Sequence, residues 1–278
     1  SIKKLFEPTD MTEGTPWKSI VSFSIPLLIG NIAQQLYSTV DSIVVGHYIG
    51  DNALAAVGSS GPLFNMLLVL FVGISAGVGI MVSQYFGAKD REQLSATIGT
   101  SITMTALASL ILLLAAPPFI EDLLIMLKTP DAILKDCTNY LLIMMYGGAG
   151  MAFYNILSGI LRGMGDSFSG LVYLVIATVL NIILDILFVA GFDMGVPGVA
   201  LATVIAQGIS AALCYWKLMH MHHLFDLGWK QLKMSGEHVK QIIRLGIPSG
   251  LTQMIFSSAM IVVQRLTNEF GEVFVAAN

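Results

Sequence analysis

The sequence predicts an all-α integral membrane protein, and three observations carry that prediction. Of the 278 residues, 55% are hydrophobic and 12% are charged, about half the ~25% charge of a soluble domain. Mean hydropathy is +0.77. Seven apolar stretches each reach the ~20 residues that a bilayer crossing needs. They cover about 18–48, 53–86, 93–127, 132–161, 168–192, 198–222 and 239–266.

Polar punctuation separates the spans in order: Gly50-Asp51-Asn52, Gly87 to Arg91, Thr129-Pro130-Asp131, Arg162 to Asp166, Gly195-Val196-Pro197-Gly198, and a longer loop from His222 to Glu237. The second and third spans exceed one membrane thickness, so tilt or extension into water is expected. In the second span, Gly73, Gly77 and Gly79 permit close helix approach. Arg162 and Asp166 read as an interface anchor and a helix N-cap. The basic residues are asymmetric. Lys3, Lys4, Lys18, Lys89, Arg91, Arg162, Lys217, Lys230, Lys233, Lys240 and Arg244 fall at one end of the spans, against Lys128, Lys135 and Arg265 at the other. The positive-inside rule then puts the N-terminus in the cytoplasm.

Composition also excludes. A net charge of −4 gives no field for nucleic acid. Cys137 and Cys214 suggest neither a disulfide framework nor, without CxxC or a His/Cys cluster, a zinc site. His220, His222 and His223 read as solvated loop residues. No HExxH, Ser/His/Asp set or phosphate-cradling loop occurs in the sequence, so no metal, organic cofactor or enzymatic activity is expected.

The segment 23–57 resembles 245–278: Ile25-Pro26 matches Ile247-Pro248, and Tyr48, Gly50, Asp51, Ala55 and Ala56 match Phe270, Gly271, Glu272, Ala276 and Ala277 with one residue of slippage. Six spans precede the second copy, so the two copies start on the same side as parallel repeats. The expectation is an N-terminal six-helix lobe over 1–222, a cytoplasmic connection over 223–238 and the truncated start of a C-terminal lobe over 239–278. The last residues would form a stub of an eighth helix, and the chain would be the N-terminal part of a longer two-lobe, twelve-helix transporter.

Polar groups inside the spans point to chemistry. In the first, Asn31, Gln34, Gln35, Ser38, Asp41 and Ser42 recur at steps of three and four, which places them on one face. That face is expected to line protein or water, because amides facing lipid are costly. Pro26 in the same span removes a backbone hydrogen bond and offers a hinge. The fifth span repeats the pattern with Thr178, Asn181 and Asp185, and the sixth brings Thr203 to a similar depth. An ionised carboxylate at the bilayer centre costs roughly 2.5–3.5 kcal/mol on insertion scales, so Asp41 and Asp185 are expected to share a wet cavity or a partner. Neither has a nearby Arg or Lys in its own span. Such convergence suits a cation or proton site; a purely structural interhelix network is the rival reading. Gln34, Tyr37 and Asn155 are weaker candidates for contact with an organic cation.

These motifs resemble the multidrug and toxic compound extrusion (MATE) transporters. The likeness rests on Ile25-Pro26 with Asp41, on Gly73-Ile74-Ser75-Ala76-Gly77 through Gly87-Ala88-Lys89, on Leu161 to Asp166, and on Gly195 to Thr203. It covers essentially the whole chain. It implies two six-helix lobes around a central cavity in a bacterial inner membrane. It also implies export of cationic or amphipathic organic compounds against an inward flux of H⁺ or Na⁺, with H⁺ preferred. Asp41, Asn181, Asp185 and Thr203 match positions that look like the N-lobe cation site of one bacterial branch. Another branch uses a carboxylate in the seventh helix, where this chain has Gln253 and Gln264. A monomer is expected. The alternative, a lipid-linked oligosaccharide or polysaccharide flippase of the same broad architecture, would need basic groups in the cavity for pyrophosphate, and helices one to six offer none except Arg162 at the edge. A membrane enzyme and a channel fit less well: no reactive side-chain set sits within a span, and no filter-like segment appears.

Overall fold

A computed structural model describes residues 15–228 and 232–269. The expected stub beyond residue 269, with Lys3, Lys4 and Lys230, lies outside the described residues. Eight α-helices follow in order: α1 (Pro16–Tyr48), α2 (Asp51–Gly87), α3 (Arg91–Ala115), α4 (Ile120–Met126), α5 (Asp131–Gly163), α6 (Ser167–Asp185), α7 (Gly195–Met219) and α8 (Gly236–Glu269). Among the described residues there is no strand, and seven helical segments are long and apolar enough to cross a membrane. The expected all-helical membrane architecture is present.

Two spans differ in detail from expectation. The third, expected as one helix over 93–127, breaks at Pro117–Phe119 into a 3-10 turn between α3 and α4. Pro117 and Pro118 cannot donate to the helical ladder, and their rings clash with the carbonyls one turn earlier. The fifth span leaves α-helical geometry at Asp185 and continues as a π-helical turn, Ile186–Gly191. Where two helices reverse in a short turn, left-handed backbone is needed, and glycine supplies it: Gly50 has φ 114° between α1 and α2, and Gly165 has φ 83° between α5 and α6. Asp166 then caps α6 as expected. Its Oδ1 accepts from Ser169 N–H at 2.9 Å, its Oδ2 accepts from the Ser169 hydroxyl at 2.6 Å, and Lys217 Nζ lies 3.8 Å away. Burial pushes this carboxyl up, while the Ser169 bonds and Lys217 pull it back.

The bundle is centred on α2, α5 and α7. α2 packs against both α5 and α8, α5 packs against α7, and α1 lies along α6. Two apolar clusters fill it. One, including Val45, Phe71, Leu141 and Val199, lies toward the α1–α2 turn; the other, including Val78, Ile98, Ile156 and Phe225, lies toward the end where α1 begins. Lys18, Lys89, Arg91, Arg162, Lys217 and Lys240 all belong to that second end of the helices, here called the basic end.

The α2–α8 crossing is made backbone to backbone. A Cβ on Gly77 would strike the Ile242 carbonyl, and one on Gly246 would strike the Gly73 carbonyl. Small residues let helices in lipid approach this closely, where dispersion rather than hydrophobic expulsion drives association. The sequence showed the glycines but not their partner. Below the crossing, the α7–α8 connection is fastened onto α3. Arg91 Nε and Nη2 donate to the two oxygens of Asp226 at 3.1 and 2.8 Å, and its Nη1 and Nη2 also reach the carbonyls of His223 and His222. The guanidinium beside Asp226 holds that carboxyl below the usual carboxylate range. Asp226 N–H donates to Ser95 Oγ at 2.9 Å, Thr103 donates to the Leu232 carbonyl at 2.7 Å, and Phe225 is buried beneath.

Gly77→Ala is expected to cost about 1–3 kcal/mol through overpacking against α8. Gly58→Ala, in the same helix with nothing within 4 Å of its added carbon, is expected to be neutral or slightly stabilising. Thermal unfolding of the two purified variants in detergent checks the pair; equal midpoints contradict the close crossing.

Candidate functional site

The last two turns of α1, the end of α6 and the third turn of α7 meet in the half of the bundle away from the basic end. Asp41 follows from the α1 face that turns toward α6, and Asn181 and Asp185 stand one turn apart on α6. All three are buried, as is Thr203 on α7: Asn181 and Asp185 are 0% exposed, Thr203 3% and Asp41 7%. The helices that were only aligned by depth in the sequence therefore touch.

Hydrogen bonds link the group. Tyr37 Oη lies 2.9 Å from Thr203 Oγ1. With the Asn181 amide turned to satisfy both its ends, its nitrogen donates to Asp185 Oδ2 at 2.9 Å. Its oxygen then accepts from the Thr203 N–H at 3.2 Å and the Thr203 hydroxyl at 3.3 Å. The Thr203 hydrogen being spent on Asn181, Tyr37 donates to Thr203. The carboxyl groups of Asp41 and Asp185 approach each other to hydrogen-bonding reach. One oxygen of each, Asp41 Oδ1 and Asp185 Oδ1, is buried without a protein partner. No basic side chain bonds either carboxylate among the described residues. A buried acceptor left so costs about 1–3 kcal/mol, more when charged, so the pair favours a bound proton or cation.

Residues that sequence reasoning overlooked complete the surroundings. Tyr140 of α5 is buried near both carboxyl groups. Its depth could have been counted from the ends of α5, but nothing in its neighbours marked it. The π turn begins directly after Asp185, a deviation that recurs at functional positions. Thr178, grouped with Asn181 and Asp185 by spacing, spends its hydroxyl hydrogen on the Leu174 carbonyl of its own helix at 2.9 Å.

The candidate substrate residues do not form one group. Tyr37 belongs to the aspartate cluster. Gln34 and Asn155 instead line a separate polar cavity of ≈ 110 Å³ nearer the basic end, bounded by α1, α5, α6 and α7. Pro26 also lines it, and α1 runs through Pro26 as an unbroken helix. Arg162, expected only as an interface anchor, borders the same cavity. The polar stripe of α1 is likewise split. Asp41 is buried, Asn31 and Gln34 face the cavity, and Gln35, Ser38 and Ser42 are exposed. On α8, Gln253 is exposed and Gln264 donates to Ser59 of α2 at 3.1 Å.

Comparison with known proteins bears on the family and the fold. A family model described as MatE matches residues 26–187. The probable multidrug resistance protein YoeA of Bacillus subtilis (strain 168) is 34% identical over 268 residues, covering 94% of this chain and 58% of that protein. YpnP of the same organism, also described as a probable multidrug resistance protein, is 30% identical over 264 residues, covering 95% and 59%. Among solved structures, the chain is similar to a multidrug resistance MATE family transporter of the MOP superfamily in its inward-facing conformation. That match has a TM-score of 0.83 at 29% identity and covers 93% of this chain and 59% of the other. The chain thus spans about three fifths of the length of the curated relatives it matches.

Thr203→Val keeps the shape but removes the atom that Tyr37 and Asn181 share. It is expected to destabilise the bundle by about 1–3 kcal/mol, because two buried polar groups lose a partner. Val204, half-buried beside α5, gives the control Val204→Ala, which leaves the network intact. Amide exchange in the last turns of α6 should speed up in the first variant and not in the second.

Proposed function

The chain belongs to the MatE family, and from that premise we propose that it carries the coupling lobe of a cation-driven exporter of cationic or amphipathic organic compounds. The single observation supporting this is the contact of two buried carboxyl groups, each with an unpartnered oxygen. Two carboxyl groups in contact, with no basic side chain bonded to either among the described residues, can be neutralised by one shared proton that needs no further ligand. H⁺ is therefore the proposed coupling ion, and Asp41, Asn181, Asp185 and Thr203 the proposed site. In this reading the basic end faces the cytoplasm, in keeping with its excess of Lys and Arg. The site then opens toward the outside of a bacterial inner membrane. A monomer suffices, since the site is built from one chain.

α1 is the element such a site would move. Before Asp41, among the residues whose side chains are described, it buries only Gly30; Asp41, Val44 and Val45 are what it buries at the far end. Its hold on the lobe is therefore concentrated within two turns of Asp41. A proton arriving from outside neutralises the pair and changes that hold, and Pro26 supplies the position at which the freed helix bends. Bending reshapes the cavity that Gln34 and Asn155 line, and substrate leaves outward. Deprotonation toward the cytoplasm resets the helix. Coupling requires that the two shapes of α1 bind the proton with different affinity.

Asp41→Asn and Asp185→Asn in the full-length protein should each lower export from energised vesicles by roughly tenfold or more, within the 5–150-fold that coupling free energies of about 1–3 kcal/mol span. A pH gradient alone should drive transport in the unaltered protein. Normal export by both variants ends this account, and export driven by an Na⁺ gradient without a pH gradient replaces H⁺ with Na⁺.

A further inference from the structure

α8 packs closely on α2 but only lightly on α3, and a groove of ≈ 350 Å³ opens between the three helices. Every residue lining it is Gly, Ala, Val, Ile, Leu or Met. Its floor is glycine, because the α2–α8 crossing leaves no room for a side chain at Gly246 and little at Gly73. Met104 and Ala108 of α3 form one wall. The other is α8, whose Ile243, Ile247, Leu251 and Met254 stand exposed along it. From Ile242 to Met254 the groove follows about 18 Å of helix. That is close to the depth of one leaflet in a hydrocarbon core about 30 Å thick.

One end of this apolar groove is basic. Lys240, Ile243, Ile247, Leu251 and Met254 recur at steps of three and four, which puts Lys240 at the basic end of the groove face. Arg244 flanks the same face. The connection before α8 adds a third cation: Thr103, next to the groove-lining Met104, bonds the Leu232 carbonyl, and Lys233 follows. All three side chains are exposed, and no ion pair occupies any of them among the described residues. Between Leu232 and Pro248 the sequence sets one acid, Glu237, against them.

We propose that this groove binds an anionic glycerophospholipid of the cytoplasmic leaflet, with one acyl chain along α8 and the phosphate at Lys240 and Arg244. In the orientation proposed above, the basic mouth lies at the cytoplasmic headgroup level, where Lys and Arg between helices attract anionic lipids. Charge separates a site from a wall that bulk lipid merely wets. An apolar groove alone takes any chain, whereas the cations at its mouth select a negative headgroup. Spread over its length, ≈ 350 Å³ is about 20 Å² in section, room for a methylene chain and too narrow to seat a helix about 10 Å across. Bound there, the lipid fills the gap between α3 and α8 and ties α8 to the lobe beside its glycine crossing.

The test uses the purified full-length protein in detergent, with dioleoyl phosphatidylglycerol as the anionic probe and dioleoyl phosphatidylcholine as the zwitterionic one. Lipid retention is titrated by native mass spectrometry, and thermal midpoints are recorded alongside. The unaltered protein is expected to retain one phosphatidylglycerol in preference to phosphatidylcholine. Lys240→Gln and Arg244→Gln should each raise its Kd roughly fivefold, and Ala108→Phe, which fills the groove from α3, should remove it. Lys135→Gln, an exposed lysine at the other end of the lobe, should leave the Kd unchanged. Glycerol 1-phosphate, which carries the anion without the chains, should not displace the lipid. Equal retention of the two lipids, an equal loss in Lys135→Gln, displacement by glycerol 1-phosphate, or retention untouched by Ala108→Phe overturns the site. So does the absence of any retained lipid, which would mean that the rest of the protein fills the groove. The readout is binding and not transport, so it stands or falls apart from the export reading.

Discussion

Everything in this lobe is arranged around the meeting of two carboxyl groups in an apolar bundle. Ionised apart from each other, each would carry the cost of a charge removed from water with no cation opposite. Brought together by α1 and α6, they are stable only with something positive between or beside them. Asn181 serves one oxygen of Asp185, and Asp41 Oδ1 and Asp185 Oδ1 are buried without a protein donor. A purely structural network would close on itself. Here the Tyr37, Thr203 and Asn181 chain closes, and the carboxyl pair at its end does not.

The frame that holds this pair differs in stiffness from the helix that brings half of it. α2, α5 and α7 are interlocked, and α2 meets α8 at glycines whose backbones leave no room for a side chain. The connection before α8 is fixed to α3 by the Arg91 fork and by hydroxyls of Ser95 and Thr103. α1 by contrast leans on α6 and keeps most of its surface open. In the proposed cycle a charge change at Asp41 would act on this weakly buried helix, giving a small local free energy a large lever.

How much of this was legible in the residues follows from what each feature depends on. The spans depend on apolar length alone, and they stand close to where hydropathy puts them. Asp41, Asn181, Asp185 and Thr203 were marked by the expense of polar groups in lipid, and depth along each helix placed them at one level. What depth does not give is azimuth between helices. The bond between Tyr37 and Thr203 was therefore not foreseen, nor that the Thr178 hydroxyl closes on its own helix. The break at Pro117-Pro118 was legible and overlooked, because hydropathy runs on through it. The π turn after Asp185 and the pairing of Gly73 and Gly77 with α8 rest on tertiary packing, which spacing within one helix does not encode. Arg162 is exposed at the end of α5, as an anchor would be; that it also borders a cavity was not legible, because a cavity is made by four helices together.

Difference infrared spectroscopy of the carboxyl stretching band in the purified protein, followed across pH in the unaltered chain and in the Asp41→Asn and Asp185→Asn variants, tests the shared proton most directly. The expected result is a single coupled protonation whose band is altered by removal of either residue. Two independent bands, each untouched by loss of the other residue, would contradict it.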